Sequence, residues 1–284
     1  MKKNFIFLLI LLFLNVLSLF PVLYFSSARL EVSFFDIGQG DSIFIETPEG
    51  YQALIDGGPS YSRIIEKLSS EMPSWDKEID LVVLSHPESD HMTGLLSVLE
   101  NYKVDNIVWT GIERDGEKFE TWKRMIDEEG SGIYAVVSGD KFIMGDASLE
   151  IISPEEVLSG MYFKESNDTA IVSRLSYGSS SFLFTGDISS KKERDLLDND
   201  IAADILKVAH HGSKYSTSAE FLEKASPLVA VIQVGKNSYG HPTPEVLTRL
   251  DNSGIKVLRN DLDGDIKIVS DGIDYKIITN KNKI

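Results

Sequence analysis

From residue 30 onward the chain alternates short apolar runs with polar turns. L-E-V-S-F-F-D (30–36), S-I-F-I-E-T (42–47) and Y-Q-A-L-I-D (51–56) predict an antiparallel strand set, with P-E-G as the turn between the last two. Residues 60–70 carry a helical pattern. L-V-V-L-S (81–85) is a continuous apolar run, the mark of a strand buried on both faces. A helix over 92–101 follows. I-V-W (107–109), a polar helix over 117–129 and I-Y-A-V-V (133–137) form a further strand–helix–strand unit.

The second half restarts with strands at 148–152, 169–177 and 181–185, the last two joined by G-S-S. Helices over 190–198, 217–225 and 243–252 then alternate with strands at 204–209, 229–234 and 255–258. D-I-K-I-V-S and D-Y-K-I-I-T close the chain. Each half runs from strands into alternating strand and helix. Two mixed sheets packed together, with helices outside, satisfy that pattern. No Pro/Gly/Ser linker separates the halves, so residues 29–284 read as one α/β domain of two similar layers.

The first 28 residues differ. Lys2 and Lys3 precede an uncharged apolar stretch, 5–25, long enough to cross a bilayer. Ser26, Ser27 and Ala28 offer small residues at a cleavage point. The segment reads as a membrane anchor or a cleaved export signal. Either places the rest of the chain outside the cytoplasm, because the lysines stay inside. No protein partner is inferable.

The net charge of −16 argues against a broad basic groove for nucleic acid. It leaves room for a small metal-centred site, where bound cations are the largest local charges. The absence of cysteine excludes disulfides and thiolate ligands, so any metal is held by nitrogen and oxygen. The five histidines are clustered: His86 and His91 in S-H-P-E-S-D-H, His210 and His211 in K-V-A-H-H-G-S, and His241 in S-Y-G-H-P.

The polar motifs share one position. D-G-G (56–58), S-H-P-E-S-D-H (85–91), G-D (186–187) and H-H-G-S (210–213) each follow an apolar strand. Open α/β sheets place ligands at that carboxyl edge. In the heptapeptide, His86, Glu88, Asp90 and His91 supply donors suited to zinc, or to manganese or iron where oxygens dominate. A water on such an ion loses its proton near neutral pH and becomes a nucleophile. The alternative reading of the same loop is a solvated helix start, with Ser89 or Asp90 as its cap.

V-S-F-F-D-I-G-Q-G-D-S, A-L-I-D-G-G, V-L-S-H-P-E-S-D-H-M-T-G-L, N-D-T-A-I-V, F-L-F-T-G-D-I, I-L-K-V-A-H-H-G-S and Y-G-H-P follow one another in this order. In this the chain resembles the metallo-β-lactamase superfamily, and most of all the hydrolase domain of ComEC-type competence proteins. The resemblance implies a four-layer αββα sandwich, one or two divalent ions (Zn2+ or Mn2+) at its edge, and hydrolysis of a phosphodiester or nucleic-acid substrate. The superfamily's H-x-H-x-D-H motif falls on His86, Glu88, Asp90 and His91, with Glu88 where the middle histidine stands. Asp187 matches the metal-bridging acid. His210 matches the late histidine ligand, with His211 its rival in the doublet and otherwise a supporting group. No histidine occurs between 91 and 210, where one more is usual. Both departures remove nitrogen from the metal position around His86.

Other residues carry weaker signals. Asp56 is placed to support a histidine, or is a plain turn aspartate. Asp36 and Asp41 flank G-Q-G and shape a loop near the site. Lys207 lies on the same side of its strand as Ala209, which opens it to burial near the acids and to contact with substrate phosphate, or it is a solvated strand lysine. His241 is a candidate to face substrate or to donate a proton, or is a structural loop histidine. There is no G-x-S-x-G elbow, which argues against a serine nucleophile. D-L-D-G-D (261–265) reads as a turn. Asp90, Asp187, Lys207 and His241 are thus the candidate catalytic groups. Two further functions are open on the same residues: hydrolysis of a carbonyl ester, thioester or lactam, and a non-catalytic envelope-tethered binding module.

Overall fold

The computed structural model describes residues 10–13, 15 and 29–280. Residues 10–13 and 15 are helical; otherwise the expected anchor or signal over 1–28 lies outside the described residues. Among the described residues no helix is long and apolar enough to cross a membrane.

Two sheets make the body. The first has the order β15-β14-β1-β2-β3-β4-β5-β6 and the second β13-β12-β11-β10-β9-β8-β7. The first sheet contains β1 (Leu30–Phe34), β2 (Ile43–Glu46), β3 (Gln52–Ile55), β4 (Glu78–Val83), β5 (Lys103–Trp109), β6 (Gly132–Ala135), β14 (Ile266–Ser270) and β15 (Tyr275–Thr279). The second contains β7 (Lys141–Met144), β8 (Ala147–Ser153), β9 (Val172–Tyr177), β10 (Ser180–Phe184), β11 (Ile205–Lys207), β12 (Val229–Ile232) and β13 (Lys256–Arg259).

The apolar run of β4 explains itself here. Leu81 and Val83 point into the core between the sheets, where they join Ile55, Phe182 and Phe184. Val82 and Leu84 point the other way, against helices α1 (Tyr61–Glu71), α2 (Ser89–Asn101) and α3 (Glu117–Glu129). On the second sheet Leu183, Leu206 and Ala230 pack outward. They meet Leu196, which follows α4 (Ser190–Asp195), together with α5 (Ala219–Ala225) and α6 (Pro244–Asn252). Alternation at period two thus serves two cores from one strand, and the layers stack helix–sheet–sheet–helix.

Three features depart from the pattern reading. β7 was not predicted; K-F-I-M is short and half-exposed, and it pairs antiparallel with β8 across a Gly145–Asp146 turn. The final two strands do not belong to the second layer. β14 pairs antiparallel with β1, from Leu30↔Ser270 to Phe34↔Ile266, so the C-terminal hairpin extends the first sheet. The segment read as a turn at 261–265 includes a short helix, α7 (Asn260–Asp263), followed by Asp265 paired to Lys67.

One close approach sets the site's geometry. The D-G-G loop after β3 lies directly on the first turns of α2. Gly57 N–H donates to His91 O at 2.7 Å, and Gly94 N–H to Gly58 O at 2.9 Å. A Cβ on Gly94 would stand 1.9 Å from the Gly57 carbonyl oxygen. Glycine at both positions therefore brings Asp56 and His91 together. Gly94→Ala is expected to lower the denaturant midpoint, with a loss of about 1–3 kcal/mol from overpacking. An unchanged midpoint would show that the loop and helix are not held this tightly.

Candidate metal centre

Five strand ends supply the centre. β1, β3 and β4 run in one direction in the first sheet, and β10 and β11 run parallel in the second. Asp41 follows β1 and Asp56 follows β3. Ser85, His86 and the α2 residues Asp90 and His91 follow β4. Asp187 follows β10, and His210–His211 follow β11.

Hydrogen bonds fix two buried imidazoles, those of His91 and His211. Asp56, at φ 59°, accepts from Ser85 N–H (2.8 Å) and Ser85 Oγ–H (2.6 Å). Its Oδ2 lies 2.8 Å from His91 Nδ1. A carboxylate only accepts, so Nδ1 carries the proton and Nε2 is turned to Asp187 Oδ2 at 3.4 Å. His211 is held the same way. Its Nδ1 lies 2.9 Å from Gln233 O, and its Nε2 stands 3.3 Å from both Asp90 Oδ2 and Asp187 Oδ2.

Asp90, His91, Asp187 and His211 therefore converge, with donor atoms all within 4.8 Å of one another. His91 Nε2 and Asp187 Oδ1 are buried and have no hydrogen-bond partner. Ligand atoms roughly 2.0–2.1 Å from a tetrahedral zinc stand about 3.3 Å apart; the His91–Asp187 and His211–Asp187 separations are 3.4 and 3.3 Å. Two imidazoles and two carboxylates suit zinc, manganese or iron. The residues fit a divalent cation.

The electrostatics agree. Burial opposes ionisation of Asp187, yet His211, His91 and Lys207 hold its carboxyl well below the usual range. Burial likewise opposes charge on His91 and His211, but neighbouring carboxylates, Asp187 first, raise both well above an ordinary histidine. Protons on these imidazoles balance the acids where a metal cation otherwise does.

The doublet is placed in the reverse of the expected order. His210 and His211 both sit at positive φ, 51° and 54°. This turns His211 inward, nearly fully buried, while His210 remains a third exposed with Nε2 4.0 Å from Asp187. His86 is buried beside His91, ring centroids 4.2 Å apart. Its Nδ1 meets Ser85 Oγ at 3.0 Å, and its Nε2 has no partner. Burial pushes it down to about 3, so it is neutral.

One further expectation needs correction. Glu88, expected as a metal ligand beside His86, is bound to Arg114 Nη1 and accepts from Ser166 Oγ, each at 2.6 Å. A guanidinium satisfies that carboxylate in place of an ion. Lys207, whose alternation with Ala209 allows burial near the acids, is 1% exposed. Its ammonium donates to Gly186 O at 2.7 Å, pairs with Asp41 and lies 3.5 Å from Asp187 Oδ1. It neutralises buried acid and does not reach the cavity. Asp36 shapes its loop as expected: its Oδ1 accepts from Gly38 N–H, and Gln39 of that loop lines the cavity, though Asp36 itself does not. Asp41, in contrast, is buried against Lys207 and lies 3.4 Å from His211 Nδ1.

A cavity of about 230 Å³ opens over Asp90, Asp187 and His211, rimmed by Glu88, Glu165 and Asn167. His210, His241, Gln39 and Tyr239 complete its wall. Sequence reasoning missed Gln233, although it also ends an apolar strand, V-A-V-I-Q, and obeys the same rule. Arg114, Ser166 and Tyr239 gave no such signal.

Comparison with known proteins gives the family and the fold. The family model described as "Metallo-beta-lactamase superfamily" matches residues 35–236. ComE operon protein 3 of Bacillus subtilis (strain 168) is 32% identical over 271 residues, covering 89% of this chain and 34% of that protein. Competence protein ComA of Neisseria gonorrhoeae is 30% identical over 237 residues, covering 82% and 31%. The chain spans about a third of the length of these curated relatives. Among solved structures, the metallo-β-lactamase fold protein YhfI from Bacillus subtilis superposes with a TM-score of 0.59 at 14% identity, covering 86% of this chain and all of that one. The chain belongs to the metallo-β-lactamase superfamily and resembles ComEC-type competence proteins; that fold implies binding of a divalent metal.

His211→Ala is expected to strip the metal, weakening affinity beyond the roughly 10–100-fold cost of losing an outer partner. His210→Ala is expected to keep it. Metal content of the two purified variants by elemental analysis distinguishes them; the opposite pattern would return the ligand role to His210.

Proposed function

We propose that this member of the superfamily is a metal-dependent phosphodiesterase acting on nucleic acid outside the cytoplasm, attached to a membrane or exported by residues 1–28. The observation that carries the substrate class is the cavity wall. Among its lining residues there is no aliphatic side chain. Acyl chains and lactam scaffolds are bound by apolar walls, whereas a phosphodiester asks for polar donors and a cation. No lysine or arginine lines the cavity either, so attraction for an anion there rests on the metal.

Asp90, His91, Asp187 and His211 would hold the ion. A bound divalent cation supplies Lewis acidity and offsets the negative charge that develops at phosphorus. The protein's own groups do the rest. Asp56 and the Gln233 carbonyl keep both imidazoles in the tautomer that presents Nε2. Lys207 keeps Asp41 and Asp187 ionised together. His210, lowered by burial and hence neutral near pH 7, faces the Asn167 amide with Nε2 at 3.5 Å. That nitrogen accepts, and is placed to take a proton at the cavity mouth.

The test is a panel of a phosphodiester, a thioester and a β-lactam, each assayed with and without added divalent ion. Metal-dependent turnover of the phosphodiester is expected, abolished in Asp187→Asn. Turnover confined to the thioester or the lactam, or undiminished in Asp187→Asn, would contradict the proposal.

A further inference from the structure

The loop between β12 and α6 has been built to hold one exposed ring at the cavity lip. The side-chain amide of Asn237 spends all its hydrogen-bonding capacity on this loop. It donates to Gly235 O and His241 O, both at 2.9 Å, and accepts from Tyr239 N–H (3.0 Å) and His241 N–H (3.1 Å). Gly235 is pressed against the G-Q-G loop, where a Cβ would stand 2.4 Å from Gly38, and its N–H reaches Gln39 Oε1. The loop is therefore fixed at both ends and across its middle.

What it presents is Tyr239, 73% exposed. One ring face rests on His241, centroids 5.7 Å apart and 30° between planes. His241 meets His210 at 5.6 Å, so rings lead from solvent to the metal centre. A tyrosine on a mobile loop is ordinary surface. A tyrosine locked beside the reacting centre with its ring left to solvent is a platform for another flat ring.

The same loop continues into a second depression. Gln39 lines both the metal cavity and an adjoining groove of about 530 Å³ that contains Lys236 and Arg63. Neither cation has a carboxylate within 4 Å among the described residues, unlike many on this acidic chain. Asp36 and Asp261 also line the groove; Asp261 is paired with Arg259, while Asp36 accepts only a backbone N–H, from Gly38.

We propose that the 235–241 loop is a subsite for an unpaired nucleic-acid strand: Tyr239 stacks on the base next to the scissile phosphate, and Lys236 and Arg63 take the following phosphates. This rests on the phosphodiesterase reading and specifies its substrate. Stacking needs a base whose face is free, so a single strand or frayed end is preferred to an intact duplex.

The test compares cleavage of a single-stranded oligothymidylate by the Mn2+-loaded chain with cleavage of the same oligonucleotide made abasic around the scissile position. The protein is expected to prefer the base-bearing strand about tenfold in kcat/KM, mainly through KM. Tyr239→Ala should bring that ratio close to one, and Tyr239→Phe should retain it, because the ring is kept. Lys236→Ala should weaken both substrates equally and flatten the salt dependence by about one charge. Equal cleavage of both strands by the parent protein, or a ratio unchanged in Tyr239→Ala, would overturn the subsite and leave the phosphodiesterase reading standing. No cleavage of either strand would overturn both.

Discussion

Four carboxylates, Asp41, Asp56, Asp90 and Asp187, crowd one edge of the sandwich, and the only lysine or arginine fully buried among the described residues is Lys207. Asp41, Asp56 and Asp187 are buried and Asp90 is about a third exposed at the cavity, so one ammonium leaves an excess of negative charge in a poorly hydrated space. Such an excess is not tolerated without compensation. The rest of the site follows from that constraint. Lys207 is drawn inside despite its desolvation cost, because Asp41 and Asp187 hold its proton. His91 and His211 are held in the charged form until a divalent ion takes over that duty.

The fold makes the crowding possible. Asp56 and Asp187 sit just beyond strands whose alternate residues are committed to two cores, while Asp41 lies in the β1–β2 loop and Asp90 in the first turn of α2, so these positions have little freedom to retreat. The D-G-G loop and α2 meet at the distance only glycine allows, which sets Asp56 against His91. Asp56, His210 and His211 are held at positive φ, a conformation that costs a non-glycine residue on the order of 1–3 kcal/mol. That cost is borne where it aims side chains at the centre, and the surrounding cores offset it.

Much of this was visible in the sequence because both signals are local. Strand alternation and the recurrence of polar groups after apolar runs located Asp56, the heptapeptide, Asp187 and the histidine doublet. Features set by distant pairing were not visible. The C-terminal hairpin joins β1 across the length of the chain, so no local pattern could assign it to the first sheet. Glu88 looks like a ligand until Arg114, 26 positions away, closes on it. The choice between His210 and His211 rests on backbone torsions, and although alternation allows Lys207 to turn inward, the acids that hold it there come from other strands. Tyr239's place on a rigid loop depends on the four hydrogen bonds of the Asn237 amide, which no local pattern shows.

The central claim is that a single divalent ion completes the charge balance among Asp90, His91, Asp187 and His211. Anomalous diffraction from crystals grown with Mn2+ tests it most directly. One strong peak is expected within coordinating distance of those four side chains, with Glu88 still turned to Arg114. A peak held by His86 and Glu88, or none near His211, would contradict it.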